Sequence, residues 1–384
     1  MAFKLRHYQE DSIRLGVEYL LSDSKQNSII ILPTGSGKSV VIANLLAPLE
    51  DNTVVLQPSK EILEQNFAKY TSYGYEASIY SASAGEKNIG KVTFCTIGSI
   101  INKKHLFKKT KYFLIDECHL VNPEEGMYQE LLRTFPTAKV LGLTATPYRL
   151  TQTAEGPQLN FITRTTPKIF DNVLYYVQND VLFNAGYLAK LEYFKFDVVD
   201  RSKLEVNGSG TDFTKQSLYR YYKSIDMPSK IAKYAFSILS KKPNLLIFCS
   251  LLEEAVAVSK KIPGSIVLDS NTKPKERERI LYQFKKGIIK CLINVGILTT
   301  GFDYPALEAV LMARSTMSLS LYYQIVGRAM RIFPTKKTAW ICDLGGNIDF
   351  FGKIETMQIK VDNEGRFAVW NNGRPLTNVP FQKQ

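Results

Sequence analysis

The chain is poor in the residues that build metal and disulfide frameworks. In 384 residues there are three histidines and five cysteines, and no two cysteines form a CxxC pair. This excludes a zinc ribbon and a disulfide scaffold and fits a reducing cytoplasm. His7, His105 and His119 stand too far apart for a metal cluster. No apolar run approaches the ~18 residues of a spanning helix, so no membrane partner is expected. The first residues, Met1 to Arg6, lack the apolar stretch of a secretory signal. Low-complexity tracts are absent as well. What remains is ordinary globular composition, 45% hydrophobic and 22% charged. The length suits about two domains.

Charge is unevenly spread. Residues 1–160 hold 17 basic and 16 acidic residues, whereas residues 161–384 hold 32 and 20. A basic second half points to a polyanion lying against it.

Short Val/Ile/Leu runs alternate with amphipathic stretches. Strands are expected at Ser28–Leu32, Thr53–Leu56, Val92–Thr96, Tyr112–Ile115 and Lys139–Thr144, with helices at Lys38–Leu49, Lys60–Tyr70 and Met127–Phe135. Near-continuous apolar strands imply burial on both faces, hence a parallel sheet covered by helices. Residues 145–190 read as irregular. The alternation then resumes, with strands at Tyr193–Val199, Leu245–Cys249, Ser265–Leu268, Cys291–Val295, Ala309–Met312 and Ala339–Asp343. Helices are expected at Ser229–Ser240, Leu252–Lys261, Lys275–Lys286 and Leu319–Met330. Arg201–Phe213 reads as an exposed loop, and the pattern weakens from Lys353 to a fraying end. The fold class is therefore α/β, two tandem sheets with a ligand cleft expected between them.

The strongest motif is Ile29–Ser39, a buried strand running through Pro33, Thr34, Gly35, Ser36 and Gly37 into Lys38 and Ser39. Glycines let the backbone fold into a nest of N–H groups at a helix start. Lys38 would reach the β and γ phosphates of ATP, and the Ser39 hydroxyl would ligand Mg²⁺. The general phosphate-loop pattern asks for glycine where Leu32 stands, so that term is missing. A second motif ends the Tyr112–Ile115 strand in Asp116-Glu117-Cys118-His119, 78 residues after Lys38. Asp116 would hold Mg²⁺ and Glu117 would orient or deprotonate the attacking water.

Further runs complete a resemblance. Gly142 to Pro147, Ile297 to Asp303 and Gln324 to Arg331 are similar to motifs III, V and VI of superfamily 2 helicases and translocases, and the acid pair resembles their DECH box. The runs DECHLV, GLTATPYRL and LTTGFDYP look closest to the RadD-like branch, with UvsW-like enzymes as neighbours. The cysteine-rich extension usual in RadD-like proteins is not in this chain, so no role tied to it is expected. The resemblance implies two RecA-like domains, the first at 1–165 and the second at 226–350. Residues 166–225 would be the crossing and 351–384 a tail.

The resemblance also assigns candidate residues. Gln9 would read adenine, with Arg6 beside it; the plain alternative is a helix-start glutamine. Thr144 and Thr146 would couple nucleotide state to closure, or simply end a β-branched strand. Gly301 and Asp303 would contact the nucleotide or the first domain, or form a turn. Gln324, Arg328 and Arg331 form the arginine-finger motif, the two arginines sharing one helix face at i, i+3 spacing. Pro58, Ser59, Lys60, Thr96, Ser99, Cys249, Ser250, Thr299 and Thr300 offer hydroxyls or N–H groups at helix starts, suited to phosphate oxygens. Each could instead be a helix cap. The expected activity is ATP-driven helicase or translocase action, with DNA favoured and forked or branched forms included. RNA-dependent ATPase action, or a non-catalytic nucleic-acid scaffold with a decayed motor, remain alternatives. Zinc is not expected, and the oligomeric state is left open.

Overall fold

The structure, a computed structural model, describes residues 4–153, 155–299 and 301–381. By contacts the chain forms two units. Unit 1 holds residues 1–149, 160–178 and 360–368, and unit 2 holds 150–159, 179–359 and 369–384.

Unit 1 is built on strands β1 (Ser28–Ile31), β2 (Thr53–Gln57), β3 (Ser78–Ser81), β4 (Glu86–Lys87), β5 (Val92–Thr96), β6 (Tyr112–Asp116) and β7 (Lys139–Thr144). A hairpin, β8 (Tyr148–Thr153) and β9 (Gly156–Phe161), follows, most of it belonging to unit 2, and the chain then returns to unit 1 in β10 (Asn172–Tyr176). The sheet runs β10-β1-β7-β6-β2-β5-β3-β4. All pairs are parallel except β3 with β4. Every residue of β1, β2 and β6 is buried, as expected of strands covered on both faces. The helix His7–Leu21 packs closely because of Gly16, where a Cβ would meet Leu45 at 2.5 Å and Ile30 at 3.1 Å. Pairing in register aligns Ile31 with Thr144 and Asp116 with Leu143, so β1, β6 and β7 end at one edge.

Unit 2 carries β11 (Lys190–Lys195), β12 (Leu245–Phe248), β13 (Ile266–Leu268), β14 (Cys291–Asn294), β15 (Ala309–Met312) and β16 (Thr338–Asp343). They form a parallel sheet in the order β11-β16-β15-β12-β14-β13. Its core packs Ile231, Ala235 and Ile238 of the helix Met227–Leu239 with Ala255 and Val258 of the helix Leu252–Lys261. The expectation of two α/β sheets is met.

Several local expectations are corrected. The stretch 145–190 is not irregular: β10 joins the first sheet as a parallel neighbour of β1. It is an edge strand with no fully buried residue, although residues 173–177 are all apolar or aromatic. The first strand of unit 2 begins at Lys190 and ends at Lys195, short of Val199, because the chain turns where Val198 N–H donates to Phe196 O. Arg201–Phe213 is exposed at Ser202, Lys203, Glu205, Val206, Gly208 and Ser209, as expected, but its two ends are anchored. The Arg201 guanidinium lies 5.1 Å from the Phe213 ring and 4.3 Å from the Phe350 ring, and it donates to Thr316 O at 2.8 Å. Asp212 accepts from Met317 N–H at 3.1 Å. The final stretch is also structured, with strands at Gln358–Val361, Phe367–Asn371 and Arg374–Pro375. Asn372 and Gly373 supply the positive φ angles, 49° and 79°, of the turn between the last two. The last three residues lie outside the described residues. No helix among the described residues is long and apolar enough to cross a membrane.

Candidate functional site

The edge where β1, β6 and β7 end carries the first cluster. Beyond β1, Leu32 N–H still pairs with Thr144 O at 2.9 Å, after which Pro33 to Gly37 turn away. Gly35 and Gly37 have φ of 84° and 88°, in the left-handed region that glycine occupies without strain. Gly37 is tightly enclosed, since a Cβ there would meet Gln9 Nε2 at 2.6 Å. The turn ends in the helix Lys38–Leu46, whose start no side chain caps. That leaves a concave, positively polarised surface of N–H groups, the chemistry that suits a phosphate chain. Thr34 and Ser39 lie half-buried on the same turn and first helical residues.

Lys38 converges with the acid pair. Its ammonium is ion-paired to Glu117 and stands 3.6 Å from Asp116 Oδ1. Asp116 is buried; one oxygen accepts from Glu117 N–H at 2.9 Å and the other from the Asn66 amide at 3.0 Å. Glu117 adopts φ 50° and ψ 47°, an uncommon conformation for a side-chain-bearing residue. Burial works against charge on all three groups. On Lys38, Glu117 and Asp116 outweigh it, and the ammonium is held above its usual range. On Glu117, Lys38 and then His119 outweigh it, and the carboxyl is held below its usual range. On Asp116 burial prevails, and its proton affinity is raised despite Lys38. A buried carboxylate of this kind, paired with a cation and donors, is chemically fit to face a divalent cation.

His119 ties this edge together. Its Nδ1 stands 2.9 Å from Thr144 Oγ1, 3.1 Å from Thr146 Oγ1 and 3.4 Å from Glu117 Oε2. Thr146 N–H also donates to Thr144 Oγ1 at 3.0 Å. Sequence reasoning missed His119, Asn66 and Tyr8 as site residues. The Asp-x-x-His spacing could have flagged His119 as facing the neighbouring strand end.

Gln9 and Arg6 stand behind the glycine turn. The Gln9 amide donates to Ser36 O at 2.8 Å and accepts from Arg6 N–H at 3.0 Å. The Tyr8 hydroxyl donates to the same Ser36 carbonyl at 2.6 Å, and Arg6 donates to the Tyr8 hydroxyl at 3.0 Å. The structure thus places Gln9 as a support of the turn.

In unit 2, the expected shared helix face of the two arginines is corrected. The helix Leu319–Gly327 ends before both. Arg328 is its C-cap, still with helical φ and ψ of −61° and −33°, and its guanidinium donates to Phe302 O at 2.7 Å and to Gln324 O at 3.2 Å. Arg331 lies past the end and is ion-paired to Asp303. Both arginines therefore hold the turn at Phe302 and Asp303. Gly301 supplies the turn's positive φ of 71°, and Asn294 Oδ1 accepts from Leu298 N–H at 3.0 Å on its other side. Thr299 is half-buried in this turn, and Thr300 lies outside the described residues.

The proposed phosphate-contacting positions divide. Ser59, after Pro58, caps the helix Lys60–Thr71 through Ile62 N–H at 3.4 Å, and Lys60 pairs with Glu64 at 3.5 Å. Thr96 and Ser99 bond each other at 2.8 Å, and Ser99 accepts from Ala82 N–H at 2.9 Å. Cys249 is buried and burial pushes its thiol up. Ser250 N–H donates to Glu254 at 3.2 Å, a buried carboxyl that burial pushes up to about 8. Among the described residues, no group of His, Cys, Asp and Glu forms a metal cluster.

Comparison with known proteins agrees with this geometry. Residues 2–149 match the family of the type III restriction enzyme res subunit, and residues 229–333 match the helicase conserved C-terminal domain. A 51.5 kDa protein of Lactococcus phage (isolate 7-9) is 26% identical over 81% of this chain and 64% of its own length. The DNA 3'-5' translocase XPB2 of Sulfurisphaera tokodaii is 23% identical over 85% of this chain and 79% of its own. Among solved structures, S. cerevisiae Dbp5 bound to RNA and ADP BeF3 aligns with a TM-score of 0.59 at 17% identity, covering 88% of this chain and 83% of that one. This likeness establishes the fold as tandem RecA-like domains. The chain spans about half to two thirds of the length of most curated relatives it matches.

Proposed function

We propose that this chain, which carries the two motor domains of a superfamily 2 helicase, is an ATP-dependent helicase or translocase that acts on DNA. The observation that carries the reading is the convergence of Lys38, Asp116 and Glu117 beside the glycine turn, at one edge of one sheet. Three chemical tasks meet there: a phosphate cradle, a cation-facing carboxylate and a candidate base.

Lys38 and the turn from Pro33 to Ser39 bind and orient the triphosphate, and Gln9 steadies the turn and contacts adenine. Ser39 and Asp116 would hold Mg²⁺, which would supply charge neutralisation on the phosphates. Glu117 orients the attacking water and accepts its proton. Its proton affinity is low while Lys38 is its partner. When Lys38 turns to a phosphate, that restraint weakens and Glu117 becomes a better base. Arg328 and Arg331 supply positive charge to the γ-phosphate, with Gln324 positioned beside them. Thr144 and Thr146 couple nucleotide state to the nucleic-acid grip. Ser59, Lys60, Thr96, Ser99, Ser250 and Thr299 contact the sugar-phosphate backbone without reading sequence; Cys249 does not join them, because it is buried in the core of unit 2 and its N–H donates to Asn294 O.

The finer placement, a RadD-like enzyme with a DECH box and UvsW-like neighbours, rests on the three sequence runs DECHLV, GLTATPYRL and LTTGFDYP. It favours forked or branched DNA as substrate. The test is phosphate release measured with single-stranded DNA, duplex, forked DNA and RNA. The proposal expects the largest stimulation with a DNA form. Stimulation by RNA alone would reassign the substrate, and no turnover with any of them would point to the scaffold alternative.

A further inference from the structure

Apart from Lys60 in unit 1, the contacts proposed above use hydroxyls and backbone N–H groups, which are neutral. They leave the basic surplus of the second half unexplained. Half of it lies in one segment: residues 214–244 hold seven basic residues and one acidic residue, against an excess of 12 for residues 161–384. This segment forms two consecutive helices of unit 2, Lys215–Ser224 and Met227–Leu239.

The basic residues do not all remain available. Arg220 is tied to Glu205 at 2.8 Å and Lys242 to Glu308 at 3.2 Å. Lys215, Lys223, Lys233 and Lys241 are exposed, and none of the four is held in an ion pair among the described residues. Each helix carries an exposed aromatic ring near two of them. On the first helix, Tyr219 is 47% exposed midway between Lys215 and Lys223, in i, i+4, i+8 spacing. On the second, Phe236 is 51% exposed, with Lys233 one turn before it and Lys241 in the turn past the helix end at Leu239; Lys233 stands 5.9 Å from the Tyr234 ring and Lys241 6.0 Å from the Trp340 ring. The Lys223 ammonium stands 5.9 Å from the Tyr219 ring. Opposite faces of the same helices are buried, through Leu218 and Tyr222 on the first and Ile231, Ala235 and Ile238 on the second. The exposed rings are therefore not needed to close the core.

We infer that these two helices form an auxiliary track for single-stranded nucleic acid, separate from the helicase motifs. A helix rises about 1.5 Å per residue, so Lys215 and Lys223 are about 12 Å apart along the axis. At about 3.4 Å per nucleotide that spacing brackets three to four nucleotides, with a ring between for a base to stack on. Ammonium groups flanking an aromatic face suit a polyanion that also carries flat rings. A purely anionic peptide would leave Tyr219 and Phe236 without a role. The inference takes its ligand class from the motor reading and adds a surface to it.

The experiment titrates the full chain, without nucleotide, against a fluorescein-labelled oligothymidylate between about 50 and 200 mM salt. The variant Lys215→Gln/Lys223→Gln/Lys233→Gln/Lys241→Gln should flatten the slope of log K against log salt by about two to three, since each single-strand phosphate contact contributes about 0.7. Replacement of the same four lysines by arginine should keep the slope. Tyr219→Ala should weaken binding about tenfold at fixed salt, and Tyr219→Phe should not. A thermal melt unchanged from the parent shows that each variant is folded. An unchanged slope in the glutamine variant with unchanged affinity in Tyr219→Ala overturns the track. Salt-dependent binding by the parent without any ATPase stimulation would sink the motor reading and leave the track standing. No binding by the parent sinks both.

Discussion

His119 Nδ1 stands 2.9 Å from Thr144 Oγ1, joining the turn after β6 to the end of β7. The same nitrogen reaches Thr146 and the catalytic candidate Glu117. One imidazole thus senses the proposed base and both strand-end hydroxyls. His119→Ala should leave ATP affinity nearly unchanged and lower nucleic-acid-stimulated turnover by about ten- to a hundredfold, the usual cost of removing a group that positions a reacting one. Steady-state kinetics separate kcat from KM; a rise in KM alone would assign His119 to binding instead.

The two arginines of unit 2 should differ from the lysine of unit 1 in their kinetic signature. Arg331→Ala should retain ATP binding while hydrolysis falls by about a thousandfold or more, the scale of a lost arginine finger. Asp303→Asn removes the partner that holds Arg331, and should give a smaller loss of kcat. Fluorescent nucleotide titration beside phosphate release checks both, and equal loss of binding and turnover in Arg331→Ala would count against the finger role.

Gln9 has one hydrogen-bond arm on the glycine turn and is proposed to spend its remaining capacity on adenine. Gln9→Ala should erase a preference for ATP over GTP and raise KM for ATP. A preserved preference would leave Gln9 as a support of the turn only.

A pH effect follows from Glu254, which burial pushes up to about 8 from an ordinary 4.5. A carboxyl that binds its proton more tightly when folded costs stability as pH rises between those two values, and the cost is constant above them. Glu254→Gln removes that cost while keeping an acceptor for Ser250 N–H. The variant should match the parent near pH 4 and exceed it by about 2–3 kcal/mol near pH 7. Urea unfolding at both pH values tests this, and a gain of equal size at both would assign the effect to packing.

The architecture and the phosphate cradle were legible in the sequence because both depend on residues close together in the chain. A buried strand, two glycines and Lys38 lie within one short run, and Asp116-Glu117 directly ends another. What escaped depends on distant partners. Asn66 reaches Asp116 across 50 positions and His119 reaches Thr144 across 25. The anchoring of Arg328 was hidden for the same reason, since the Phe302 carbonyl to which its guanidinium donates lies 26 positions earlier. Edge strand β10 was masked by the Thr, Gln and Asn residues around it, although residues 173–177 are all apolar or aromatic. The Arg201 clamp rests on a cation lying over two rings, which hydrophobic periodicity does not register.

The most direct test of the central claim is phosphate release by the parent chain and Lys38→Ala, each with and without single-stranded DNA. Among the described residues, Lys38 is the one cation paired with both acids at the end of β6. The account predicts turnover that rises with DNA in the parent and is abolished in the variant under both conditions. DNA-stimulated turnover of parental size in Lys38→Ala would contradict it.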